Sequence, residues 1–97
     1  MNIKCLENEQ SITYFLEGSL DPNTSAELLE QVNITTSKEV IFDFSKVDYV
    51  YSAGLRAFLQ IQKNINAYGG KIKLINMKDS VKQVFDIVGF TNIMNIA

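Results

Sequence analysis

The sequence has no histidine and no tryptophan, and only one cysteine and one proline in 97 residues. Without histidine, neither a Ser-His nor a Cys-His pair can form within the chain, which closes the commonest route to an activated nucleophile. A zinc site would have to be built from Cys5 and carboxylates, a poor set for a metal that favours sulfur and imidazole. Cys5 has no partner for an internal disulfide, which fits a reducing, cytoplasmic setting. The five glycines match neither common phosphate-cradling spacing. No apolar run approaches the ~20 residues of a membrane-spanning helix. The opening MNIKCLENEQ lacks the apolar core of a signal peptide, so no direct membrane insertion is expected. Nine Lys and Arg stand against eleven Asp and Glu, a net charge of −2. With no basic footprint, nucleic acid is not expected as a partner.

What is present is a core. Hydrophobic residues make up 46% of the chain, enough for one domain over residues 1–97, with a stability of about 5–10 kcal/mol. Met1 to Leu6 reads as a short strand in which Ile3 and Cys5 alternate with polar neighbours, Cys5 as a small buried apolar residue. Glu7-Asn8-Glu9 is a polar turn, and Ser11 to Leu16 (SITYFL) is a second strand that closes a hairpin. Gly18 to Asn23 is a connector. A helix follows from about Thr24 to Val32, and its start has two competing signals. Asp21 before Pro22 has the form of an N-cap with proline at the first helical position; Thr24 with Glu27 has the form of a capping box.

Glu39 to Phe44 (EVIFDF) is the strongest strand, apolar on both sides, as expected in the middle of a sheet. After it, Leu55, Phe58, Leu59, Gln62 and Ile65 mark one face of a helix that runs to about Tyr68, where Gly69-Gly70 stops it. Lys71 to Met77 alternates as a strand. Asp79 or Ser80 then caps a helix with Val81, Val84, Phe85 and Val88 at i, i+3, i+4 and i+7, ended by Gly89. Ile93 to Ala97 is a candidate last strand. This order implies an α/β domain: a mostly parallel four- to five-stranded sheet after an N-terminal β-hairpin, with three or more helices. Helices that follow parallel strands begin at one rim of the sheet, where such domains bind ligands and partners. Asp21 to Thr24, Tyr51 to Ala53 and Asp79-Ser80 are therefore expected at one end of the molecule.

The stretch VDYVYSAGLRAFLQ, Val47 to Gln60, changes from extended to helical at Ser52, and that serine can be read in three ways. As an N-cap, its oxygen would accept a backbone amide, with Ala53, Gly54 and Leu55 as the first three helical residues. As a phosphorylation acceptor, it would place a phosphate where a helix N-terminus tolerates negative charge, and Gly54 would leave the backbone open to an approaching group. As a nucleophile, it has only half of the G-x-S-x-G elbow, because Val50 occupies the first glycine position and no histidine is available as base. Elsewhere, Asp43 lies mid-strand beside aromatic residues and reads as pointing to a strand edge or a loop, with a buried, hydrogen-bonded carboxylate as the alternative. Arg56 reads as a solvated charge, and Met77 and Met94 as core.

The same stretch resembles the signature of STAS domains, the fold of bacterial anti-sigma factor antagonists, in which a buried strand leads into a Ser-Ser-Ala-Gly-Leu or Asp-Ser-Ser/Thr-Gly-Leu turn. Here that turn is Tyr51-Ser52-Ala53-Gly54-Leu55. Phe15 to Val32 resembles the family's Gly-x-Leu-Asp-x-x-Thr segment at Gly18, Leu20, Asp21 and Thr24, and Gly69 to Phe90 resembles its last strand and helix. The resemblance implies a single STAS-like domain and a mechanism. An anti-sigma factor that is also a serine kinase holds a sigma factor inactive. The unphosphorylated antagonist binds that kinase and frees the sigma factor. Phosphorylation of the serine two before the glycine, here Ser52, breaks the complex, and a PP2C-type phosphatase restores it. The shared rim of parallel strands gathers Asp21, Thr24, Tyr51, Ser52 and Arg56, which with Ala53, Gly54 and Leu55 of the turn are the expected partner-binding residues. Without a histidine as base no enzyme activity is expected. Tyr51 departs from the aspartate and Ala53 from the Ser or Thr that many antagonists carry. Both departures keep the acceptor hydroxyl, and the tyrosine changes the partner surface. A rival within the same fold is an accessory subunit of a lipid-transport ABC system, which binds the ATPase without a phosphorylation cycle. The serine at the acceptor position favours the sigma pathway.

Overall fold

The computed structural model describes residues 1–97 and carries five strands in the spatial order β1-β2-β3-β4-β5. Strand β1 (Asn2–Glu7) pairs antiparallel with β2 (Ser11–Leu20). Helix α1 (Pro22–Gln31) leads to β3 (Glu39–Val50), α2 (Ser52–Ala67) to β4 (Lys71–Ile75), and α3 (Asp79–Ile87) through a single 3-10 turn to β5 (Asn95–Ile96). Strands β2 to β5 are parallel. Each crossover adds its strand on the same side of the last, so right-handed connections place all three helices on one face. Burial follows that arrangement. On β2, Ile12, Tyr14, Leu16 and Leu20 are buried while Phe15 between them is 41% exposed. On β3, Val40, Phe42, Phe44, Val47 and Val50 turn towards the helices.

Aromatic rings form the centre of that buried layer. Phe42 stacks on Tyr14 at 5.3 Å and meets Phe58 edge-on at 5.1 Å, and Phe44 lies between Phe58 and Phe85. Strand β3, apolar on both sides in sequence, holds the middle position, as its pattern requires. Gly69 and Gly89 take the left-handed conformations that end α2 and α3.

Several expectations change. Strand β2 runs through Gly18 to Leu20 instead of stopping at Leu16. Two register shifts against β3, with Gly18 at φ 118°, let it bend without ending. Cys5 is exposed, because β1 is an edge strand with no helix packed over it. The buried stripe of α2 is Gly54, Ala57, Phe58, Ile61 and Ile65, while Leu55, Leu59 and Gln62 are half-buried at its margin. Met94 is buried, Met77 is half-buried, and Val88 is 47% exposed.

Candidate functional site

The site is the rim where β2, β3 and β4 end and the three helices begin. Strand β2 ends opposite the end of β3, with Leu20 paired to Val50. The Tyr51 N–H donates to the Leu20 carbonyl at 2.9 Å, which ties the turn before α2 to the turn before α1. Gly54 completes the junction. A Cβ at that position would lie 2.8 Å from Leu20 Cβ and 2.9 Å from Val50 Cγ1. Only a glycine lets the first turn of α2 sit this close to the strand ends.

The first helix resolves its competing start signals. Asp21 is the N-cap and Pro22 follows it. The Thr24 N–H donates to Asp21 Oδ1 at 2.9 Å, and the Asp21 N–H donates to Thr24 Oγ1 at 2.9 Å. The Thr24 hydroxyl reaches the Ser19 carbonyl at 2.6 Å. Thr24 is therefore the third residue of the capping box and not its N-cap. The Thr24 amide, opposed by partial desolvation and helped by the Thr24 hydroxyl and the Asn23 amide, holds the Asp21 carboxyl below its ordinary pKa.

Ser52 is not an N-cap. That position belongs to Tyr51, whose backbone is extended and whose side chain makes no capping bond. The Tyr51 carbonyl takes the first helical bonds, from Gly54 and Leu55. Ser52 is the first helical residue, is exposed, and its hydroxyl has no hydrogen bond. The first turn carries no acidic residue either, so the positive end of the α2 dipole faces solvent without a local counter-charge. The cap of α3 shifts in the same way: Lys78 holds it without a side-chain bond, and Asp79 and Ser80 are already helical.

Around Ser52 the rim is aromatic and charged. Tyr49 and Tyr51 pack edge to face at 4.9 Å and remain 42% and 51% exposed. Lys78 pairs with Asp48 at 2.8 Å, bringing the start of α3 to the end of β3. Arg56 is exposed and makes no ion pair. Ala53 and Arg56 face Pro22, Ala26 and Leu29 across a shallow groove of about 350 Å³ between α1 and α2. The structure therefore brings the starts of α1 and α2 together, and with them Asp21, Thr24, Tyr51, Ser52, Ala53, Gly54, Leu55 and Arg56. Gly54 is buried, Ala53 and Leu55 are half-buried, and Tyr51, Ser52 and Arg56 are exposed.

Tyr49, Asp48 and Lys78 were not anticipated. Tyr49 and Asp48 are both exposed between buried Val47 and Val50, where the register shift of β2 against β3 breaks the two-residue alternation. Simple alternation therefore gives no signal for Tyr49; the Lys78–Asp48 pair spans thirty residues and has no local signal either. Asp43 does not point to an edge or a loop as expected but is buried, because Ser45 and Asn76 satisfy its carboxylate. It accepts the Ser45 N–H at 2.8 Å and the Asn76 amide at 3.0 Å, fixing the turn after β4, where Asn76 has φ 60°. Burial pushes its carboxyl up, but the bonds from Ser45 and Asn76 outweigh it and leave the pKa below the ordinary value.

Comparison with known proteins places this rim in context. Residues 2–97 match the STAS domain. BtrV of Bordetella bronchiseptica, assigned provisionally as an anti-sigma factor antagonist, is 38% identical over 72 residues, which cover 74% of this chain. The chain spans 61% of that relative's length. The anti-sigma-B factor antagonist of Bacillus subtilis is 26% identical across 100% of this chain and 91% of its own. Among solved structures, the anti-sigma factor antagonist SpoIIAA in its unphosphorylated form superposes with a TM-score of 0.77 at 20% identity, over 99% of this chain and 88% of that one. Its phosphorylated form, from Bacillus, gives 0.64 at 19% identity, over 99% and 91%.

Proposed function

The chain belongs to the STAS domain family, and on that premise we propose that it is an anti-sigma factor antagonist switched by phosphorylation of Ser52. In its unmodified form it binds an anti-sigma factor that is also a serine kinase, and the sigma factor held by that kinase is released for transcription. Phosphate on Ser52 ends the complex, and a PP2C-type phosphatase resets it. The cycle belongs in the cytoplasm, where sigma factors act. The chain's part is binding, not catalysis.

One observation carries this reading: Ser52 has no structural task. It is exposed, unbonded and one residue past the cap. A serine retained only to start the helix would be expected to bond the helix amides. A phosphate at this position brings a charge of roughly −1.5 to −2 to the partner-facing rim. The uncompensated N-terminus of α2 accepts that charge without loss of fold. The relatives named as anti-sigma factor antagonists support the same role, and SpoIIAA, which shares the fold, has been solved with and without phosphate.

The test is direct. Purified anti-sigma factor kinases from the source organism are incubated with the chain and ATP, and products are read by intact mass and fragment spectra. One added phosphate, on Ser52, is expected. Phosphate on Thr24, Ser25 or Ser45 with Ser52 unmodified would contradict the proposal.

A further inference from the structure

Ser52 and Arg56 stand four residues apart at the start of α2. On a helix that spacing makes two side chains neighbours, about 5–6 Å between Cβ atoms. A negative group N-terminal to a positive one is the favourable order. Arg56 is the only arginine in the chain, and nothing in the structure engages it. The chain's ion pairs are Met1–Glu27, Lys38–Glu7 and Lys78–Asp48. None of the rim's carboxylates pairs with Arg56. Asp21 is held by Thr24, Asp48 by Lys78, and Asp79 lies in the first turn of α3. The guanidinium of Arg56 is thus the free cation of the rim, one turn from the free hydroxyl.

We infer that Arg56 is the intramolecular partner of phosphorylated Ser52. The guanidinium fork matches two phosphate oxygens, a geometry lysine does not offer. Phosphorylation then does two things to the rim: it adds an anion beside Tyr51, and it draws Arg56 away from any carboxylate a binding partner presents. Arg56 is a positioning residue for the phosphate and takes no part in its transfer. The inference rests on the reading of Ser52 as the phosphorylated residue.

The test needs no kinase, because phosphoserine can be placed at position 52 during synthesis. The second ionisation of that phosphate, near pH 6 in the absence of neighbours, is followed by phosphorus NMR across a pH titration. A nearby cation favours the dianion and lowers the pKa. We expect the parent value to lie about half a unit below that of Arg56→Gln, the scale of a partly exposed ion pair. Arg56→Lys should recover part of the shift, and about 1 M salt should shrink it. In the parent, the Arg56 Nε–H signal should move when phosphate is present, which checks the pair without a substitution. Identical titration curves for parent and Arg56→Gln, with an unmoved Nε–H signal, would overturn the inference. That failure would leave the kinase reaction standing. Failure of the kinase to modify Ser52 would remove the regulatory reading and leave this titration readable.

Discussion

Replacing Gly54 by alanine sets two simple expectations against each other. Alanine is the better helix former, by up to about 1 kcal/mol, so helix propensity alone makes Gly54→Ala stabilising. The structure argues the reverse. The added Cβ would approach Leu20 Cβ to 2.8 Å, Val50 Cγ1 to 2.9 Å and the Leu20 carbonyl to 3.2 Å. None of these atoms is the free end of a flexible side chain. Leu20 and Val50 are buried at the ends of β2 and β3, and the Leu20 carbonyl is pinned by the Tyr51 N–H. The first turn of α2 must lift instead. Overpacking of this kind costs about 1–3 kcal/mol; set against a propensity gain of up to about 1 kcal/mol, it leaves a net loss of up to about 2 kcal/mol. For a domain of this size each kcal/mol moves Tm by roughly 4–8 °C. Urea and thermal melts followed by circular dichroism should show the loss with an unchanged m-value, and Gly54→Val should be worse. Because the lifted turn carries Ser52, phosphorylation should slow as well. A Gly54→Ala variant as stable as the parent, or more so, would refute the close-packing account of this glycine.

Two further perturbations probe the elements that hold the rim. Thr24→Val keeps the shape of the side chain but removes the acceptor for the Asp21 N–H and the donor to Ser19, and should cost about 1 kcal/mol in urea melts. Asp43 has a folded pKa below its unfolded value, so its contribution is complete above the unfolded pKa, near 3.8, and is lost as pH falls through the lower folded value. Asp43→Asn should therefore be less stable at neutral pH, where its amide meets the Asn76 amide, yet lose less stability on acidification; melts at pH 7 and pH 3 would show a smaller difference than in the parent.

Much of this architecture was readable from pattern. The two-sided apolar run of β3 and the glycines after α2 and α3 each have a local cause and fell where expected; β4 alternates as expected but ends at Ile75 and not at Met77, because Asn76 turns to φ 60°. The failures share a different origin. Leu16 looked like the end of β2, but the strand continues through Gly18 because β3 is long enough to keep pairing with it beyond two register shifts. Ser52 looked like a cap because serine favours that position, yet Tyr51 holds it. Helix register here follows the seating of Gly54 on Val50 and on Leu20, and the Leu20 contact joins distant parts of the chain in a way no local propensity encodes. The pairings of Lys78 with Asp48 and of Asn76 with Asp43 are equally non-local. The rim as a set of neighbours followed from the parallel topology, and its chemistry had to come from the structure.

The central claim is that the charge on Ser52, not its hydroxyl, controls binding, and Ser52→Ala and Ser52→Asp separate the two. Since the hydroxyl makes no bond, Ser52→Ala should stay within about 0.5 kcal/mol of the parent in stability. Ser52→Asp adds an anion at the start of α2 and should match or exceed the parent by about 0.3–1 kcal/mol. Titration calorimetry of the parent and both variants against the cognate anti-sigma factor kinase is the decisive measurement. The account predicts parent-like affinity for Ser52→Ala and weak or absent binding for Ser52→Asp, with both variants folded. Equal affinity of Ser52→Asp and the parent would contradict it.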